Sequence, residues 1–195
     1  LFDWDSEKTT VIPNFVDVDR LDQEKLPSAN KTLGIIGIVP QRKRLDRALN
    51  LISKLAAEDP SWKLIIKGKN PRDIEFMKAP NRASEMIYYE EQFGRMKSNP
   101  ILKSAVTWDE YSISLSSWYR KVGFVLSPSD FESFHYSIAD GVASGATPVV
   151  WPWDGAKEIY TDDWVVANTD EAYDKIQSSL TNSVSALKNR EIINN

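Results

Sequence analysis

Short apolar runs alternate along this chain with longer stretches in which apolar residues recur every third or fourth position. The run LGIIGIV (33–39) is partly β-branched and has no polar alternation, as expected of a strand buried on both faces of a parallel sheet. After a polar turn, Leu45, Ala48, Leu49, Ile52, Leu55 and Ala56 keep helical spacing as far as Asp59-Pro60, which predicts a helix. The alternation then repeats. Strands are predicted at 63–67, 105–107, 123–127 and 148–151, with a brief one at 164–167; helices are predicted at 82–97, 112–120, 134–144, 155–160 and 170–181. This order implies right-handed crossovers and an α/β fold, a doubly wound, Rossmann-like parallel sheet with helices on both faces. Residues 1–32, punctuated by Pro13, Asn14, Pro27, Ser28 and Asn30, read as a leading segment and hinge or linker. The domain occupies 33–181, and 182–195 reads as a polar helical tail.

Composition narrows the chemistry. The length of 195 residues fits one domain, and 42% hydrophobic with 27% charged residues excludes a disordered chain. No apolar run approaches the roughly 18 residues needed to span a bilayer. A formal charge of -4 argues against a dedicated nucleic-acid binder but leaves small anions open. With no cysteine and His135 as the single histidine, thiolate chemistry is excluded and no metal-ligand cluster is seen. The chain begins at Leu1 without a signal segment and reads as a piece of a longer protein.

In doubly wound sheets, ligands sit beyond the carboxyl ends of the strands, where the strand order reverses. With a 3-2-1-4-5-6 order, the first and fourth strands are neighbours, and the loops that follow them are VPQRKR (39–44) and SPSDFESFH (127–135). The first places Arg42, Lys43 and Arg44 at a helix start, where the macrodipole disfavours cations unless an anion shares the space. Alone, it reads as a solvated basic turn. The second loop carries Glu132 ahead of a helix that bears Asp140, about 9–12 Å further along at helical rise, a spacing suited to gripping separate parts of an extended ligand. A carboxylate can also accept both hydroxyls of a vicinal diol. Alone, these residues read as a helix-start acid and a surface acid; the basic loop opposite gives them a joint meaning.

Four segments carry a family resemblance: VIPNFVD (11–17), GIVPQRKRLD (37–46), ESFHYSIADGVASGATPVV (132–150) and GAKEIY (155–160). Together they resemble the C-terminal, donor-binding domain of the retaining nucleotide-sugar glycosyltransferases of GT-B architecture, the large group 1 family, family four. The resemblance implies that Gly37 and Lys43 hold the donor diphosphate. It puts Glu132 at the donor sugar in a catalytic role and Asp140 on the ribose hydroxyls, with Ser133, Phe134 and His135 in the turn whose backbone amides face sugar and phosphates. Ile38 stands where the family carries a second diphosphate cation, an arginine, so Arg42 or Arg44 would supply that charge. Asp140 is one methylene shorter than the family's glutamate, and SGATP adds one residue before the fifth strand.

The implied activity is transfer of a hexosyl-type sugar, with retention, from a nucleotide sugar to a glycan or lipid-linked acceptor. No cofactor or metal is expected. The implied partners are the nucleotide sugar and an absent N-terminal acceptor-binding domain, through which peripheral membrane contact would occur; nucleic acid is not among them. The implied location is cytoplasmic, at the inner face of the membrane. A dinucleotide-binding oxidoreductase is excluded because VPQRKR has no glycine to form the Gly-x-Gly-x-x-Gly turn. A binding module that kept the fold and lost activity is the remaining alternative.

Single residues fit this frame unevenly. His135, at a helix N-terminus, is expected to be neutral at pH 7 and to contact sugar or phosphate without moving a proton. Trp108 and Asp109 lie where the resemblance puts the base, but by themselves read as a core tryptophan and a turn aspartate. Trp151 and Trp153 either line the cleft or pack beneath it, and Lys67 and Lys69 read as solvated.

Overall fold

The computed structural model describes residues 14–109, 111 and 114–181. Five parallel strands, β1 (Thr32–Ile36), β2 (Lys63–Lys67), β3 (Val106–Asp109), β4 (Phe124–Ser127) and β5 (Thr147–Val150), form one sheet in the order β3-β2-β1-β4-β5. Leu33 is the hinge of the register, opposite Leu64 of β2 on one side and Phe124 of β4 on the other. The order is the doubly wound one: the chain builds outward from β1 to β3, then returns across β1 to build β4 and β5.

The helices are α1 (Val18–Leu21), α2 (Leu45–Glu58), α3 (Ala83–Ser98), α4 (Pro100–Ala105), α5 (Ser116–Tyr119), α6 (Tyr136–Ala143), α7 (Ala156–Ile159) and α8 (Thr169–Thr181). Alternate strand residues enter different cores, as the two-residue period requires. Leu33, Ile35, Leu64, Ile66, Leu126 and Val149 join the apolar faces of α2, α4 and α8. On the opposite face, Val125 and Val150 meet Trp118, Ile138, Val142, Tyr160 and Trp164 from α5, α6 and the segment after β5. The α2 stripe read from sequence is buried along its whole length, and the helix stops at Asp59, held extended ahead of Pro60.

The described part of the leading segment is docked on the domain. Leu21 is buried, and the Lys25 ammonium donates to the carbonyls of Tyr119 and Val122 and to Ser144 Oγ at 2.8–2.9 Å. Gly123 marks how closely this segment lies against β4, because a Cβ there would sit 2.1 Å from the Ala29 carbonyl oxygen.

Several sequence expectations change. The first strand ends at Ile36, because Gly37 takes φ +70 and turns the chain out of the sheet. The brief strand at 164–167 is reduced to one parallel bridge, Val165 to Val150. A 3-10 turn, Asp162–Trp164, precedes it, and Asn168 accepts hydrogen bonds from the first amides of α8, leaving no room for a ladder. The helix expected at 112–120 is described only as α5, with 112 and 113 outside the described residues. Helix α4, not foreseen, starts at Pro100 with Asn99 Oδ1 accepting from the Ile101 and Leu102 amides. The proposed tail at 182–195 lies outside the described residues, as does VIPNFVD up to Pro13.

Candidate functional site

Because every strand is parallel, all their carboxyl ends open on one edge, and β1 and β4 meet at its centre. Their following loops face each other as the sequence suggested, joined by a backbone hydrogen bond from Asp130 N to Arg42 O at 2.8 Å. Gly37 begins the first loop. Its N–H donates to Lys67 O at 2.8 Å, and space beside its Cα is open, so the backbone is exposed to whatever occupies the edge.

The three consecutive cations diverge. Lys43 Nζ lies 2.5 Å from Glu132 Oε1, both side chains largely buried. Arg42 Nη1 lies 3.4 Å from Glu132 Oε2 and donates to the Phe131 carbonyl, with 40% of its side chain still exposed. Arg44 turns away in left-handed backbone geometry, φ 51. Its Nε and Nη2 bind Asp46 in a fork at 2.9 and 2.8 Å, and Nη1 reaches Asp130 at 3.0 Å. Arg47 adds a second contact to Asp130 at 2.8 Å. Such forked guanidinium–carboxylate pairs fix geometry as well as charge.

Glu132 is the centre of this cluster. Burial opposes its ionisation, but the facing His135, the Lys43 ammonium and a 2.7 Å hydrogen bond from Ser129 Oγ together hold its carboxyl below the usual range. His135 ends the second loop with φ 60 and packs its Nδ1 2.6 Å from Ser127 Oγ. Burial, then the charges of Lys43 and Arg42, push its imidazole down to about 4, so it is neutral at pH 7. Its Nε2 is fully buried and has no hydrogen-bond partner among the described residues.

The structure brings Arg42, Lys43, Glu132 and His135 together and commits Arg44 to Asp46 and Asp130. Ser133 is exposed at the tip of the turn, and Phe134 is half-buried against Tyr136. Asp140 lies on α6, half-buried. Burial raises its carboxyl against the opposing charge of Arg20, and among the described residues it shares no ion pair with the Glu132 cluster. Tyr160 feels both acids: its phenol is raised by burial and by the charges of Glu132 and Asp140. It donates to the Phe134 and His135 carbonyls, which pins the turn.

Sequence reading missed Ser129, Asp130, Arg47 and Tyr160. Asp130 was legible as a second acid in SPSDFE; Tyr160 closes the segment GAKEIY, but nothing local marks a side chain that reaches from the end of α7 to the turn before α6. The two tryptophans after β5 pack the cores: Trp151 is buried with one and Trp153 with the other. Lys67 is also not solvated. It is 5% exposed, its ammonium 3.2 Å from Asp109 Oδ1, because residues 67 and 109 are paired across β2 and β3.

Beside the basic loop lies a pocket of about 590 Å³ lined by Gly68, Lys69, Asn70, Asp73, Trp108 and Tyr111. Its edge meets the loop where Gly68 approaches Gly37, at 3.6 Å from the Gly37 Cα to a Cβ built on Gly68. Trp108 supplies one wall, its indole N–H fixed to Gly68 O at 2.8 Å. Among the described residues no three His, Cys, Asp or Glu side chains converge to hold a metal ion, and no helix is long and apolar enough to cross a membrane.

No curated protein matches the chain in sequence. Solved structures match its fold. Anabaena Alr3699/HepE in complex with UDP-glucose superposes with a TM-score of 0.74 at 15% identity, over 96% of this chain and 53% of that one. The C-terminal domain of LpcC, a glycosyl transferase group 1 family protein from Francisella tularensis, gives 0.66 at 18% identity over 92% and 96%. A glycosyltransferase from Rickettsia africae gives 0.73 at 16%, over 97% and 53%. The chain thus spans about half the length of the Anabaena and Rickettsia proteins and nearly all of the LpcC domain. The sequence model of the family described as glycosyl transferases group 1 matches residues 30–182, most of the chain and all five strands. With the doubly wound sheet and its GT-B neighbours, that match places the chain in the glycosyl transferases group 1 family.

Proposed function

We propose that this chain binds the nucleoside-diphosphate-sugar donor of a glycosyltransferase whose acceptor-binding half lies elsewhere in a longer protein. The observation that carries this reading is the pair Arg42 and Lys43 converging on Glu132 at the switch point of the sheet, next to an open pocket. The diphosphate would lie along Gly37 and the two cations. Asp140 would take the ribose hydroxyls, and the pocket with Trp108 and Tyr111 is large enough for the base. The complex of the Anabaena protein with UDP-glucose supports the ligand class. Ile38, where the resemblance calls for an arginine, is buried in the core, and Arg44 is held by two carboxylates; Arg42 is therefore the cation assigned to the second diphosphate contact.

Transfer would break the bond between the sugar C1 and the diphosphate oxygen, which leaves with the electron pair. An acceptor hydroxyl oxygen would bond to C1 on the same face, its proton passing to the departing phosphate. Lys43 and Arg42 would match the charge growing on that leaving oxygen, so no metal is invoked. Glu132 would orient the hexosyl-type sugar, and the acceptor, a glycan or lipid-linked molecule, would approach from the other half at the cytoplasmic face of a membrane. Titration of UDP, GDP and ADP by calorimetry tests the donor reading: at least one binds, and Lys43→Ala and Asp140→Asn each weaken it about tenfold or more. Absence of binding by all three overturns it. Binding by a full-length protein that transfers no labelled sugar would favour the non-catalytic module.

A further inference from the structure

One face of α3 grips the basic loop from below. Glu85, Tyr88 and Tyr89 occupy positions i, i+3 and i+4 and so point the same way. Tyr89 Oη donates to Ile38 O at 2.7 Å, a buried bond at the start of the loop. Glu85, itself buried and paired to Arg82 at 2.8 Å, accepts from the Gln41 amide. Tyr88 Oη donates to Asp46 Oδ1 at 2.8 Å and accepts from the Asp46 amide at 3.0 Å. Asp46 in turn forks onto Arg44, and Arg44 reaches Asp130 of the opposite loop. The loop between Ile38 and Asp46 is therefore fixed at its beginning, middle and end by one helix, and the last link extends to the loop that carries Glu132.

We propose that Glu85, Tyr88 and Tyr89 are positioning residues that hold the 38–46 loop so that Arg42 and Lys43 face the donor diphosphate. The proposal rests on the donor reading above. None of the three touches Lys43 or Glu132 in the described contacts; each acts through the backbone or through Asp46. Held this way, the loop presents its cations without first having to be ordered, which is where preorganisation adds affinity.

The test uses the nucleoside diphosphate that binds the unaltered chain best among UDP, GDP and ADP. Tyr89→Phe, Tyr88→Phe and Glu85→Ala are compared with Tyr173→Phe, which removes a phenol hydroxyl bonded to Glu58, away from this loop. Each of the three weakens the ligand by about fivefold, while Tyr173→Phe leaves it unchanged, and Glu85→Gln, which keeps an acceptor oxygen for Gln41, restores most of the loss. Melting temperatures measured in parallel separate positioning from general destabilisation, and Tyr88→Phe, at a half-buried site, carries the test if Tyr89→Phe fails to fold. Unchanged affinity in all three variants overturns the clamp and leaves the donor reading standing, as does equal loss in Tyr173→Phe. No binding by the unaltered chain overturns the donor reading and the clamp together.

Discussion

Lys43 Nζ lies 2.5 Å from Glu132 Oε1, so the basic loop and the acidic loop neutralise each other where they meet. Both groups are largely withdrawn from water, and removing one partner strands the other. Lys43→Ala should cost about 1–3 kcal/mol of stability, less than for a fully buried pair because Ser129 and Arg42 still reach the carboxylate. In urea denaturation, the double variant Lys43→Ala with Glu132→Gln should lose less than the sum of the single changes. Strict additivity would show that the contact contributes no coupling.

His135 links stability to pH. In the folded chain its imidazole is pushed down to about 4, against about 6.5 when unfolded. Between those values the unfolded chain binds more protons, so the contribution present above pH 6.5 is lost as pH falls toward 4, with a slope of up to about 1.4 kcal/mol per pH unit. His135 is the single histidine, so no other imidazole titrates there. Asn at 135, which tolerates left-handed backbone, should flatten the urea-midpoint profile in this window. A profile as steep in His135→Asn as in the unaltered chain would assign the slope to another group.

Tyr160→Phe isolates the pin on the second loop. Its hydroxyl donates to two successive carbonyls, Phe134 and His135, and the ring stays packed against Trp164 and Trp153 without it. Stability should fall by about 1 kcal/mol, and amide exchange should quicken at the start of α6. Unchanged exchange at Tyr136 and Ser137 would mean that the turn holds its own shape.

Two glycines should respond oppositely to alanine. At Gly123 the new methyl would press on the Ala29 carbonyl, which is backbone and cannot rotate away, so Gly123→Ala should cost about 3 kcal/mol or more. At Gly94, exposed on α3 with nothing within 4 Å of the methyl, Gly94→Ala should stabilise by up to about 1 kcal/mol. Thermal denaturation of both proteins decides the matter.

The core strands and α2 were legible because their signals are local: short apolar runs, a six-residue apolar stripe at helical spacing and a proline stop. The meeting of Lys43 with Glu132 followed from strand order, a rule about topology rather than about either loop. What could not be read were side chains whose targets lie on another element. Tyr88 and Tyr89 look like ordinary amphipathic positions until α3 is placed beneath the basic loop, and Lys67 looks solvated until β3 brings Asp109 beside it. The strand expected at 164–167 failed for a different reason, since the signals for a turn and for the start of α8 crowd the same few residues. His135 was expected at the ligand from its place at the helix start; that its Nδ1 lies beside Ser127 Oγ and its Nε2 is buried could not be read from that place alone.

The order of the sheet also dictates when the site can exist. Lys43 and Glu132 are 89 positions apart, and they touch only after the chain has laid down β2 and β3 on one side of β1 and come back to place β4 on the other. A chain that has completed only its first three strands owns Lys43 but not the carboxylate of Glu132 that faces it. The ion pair is thus a long-range contact, and the loop-closure entropy it carries is offset by the pairing of the strands beneath it. A ligand that requires both loops would therefore sense the pairing of β1 with β4, and its binding would report on the junction between the two halves of the sheet.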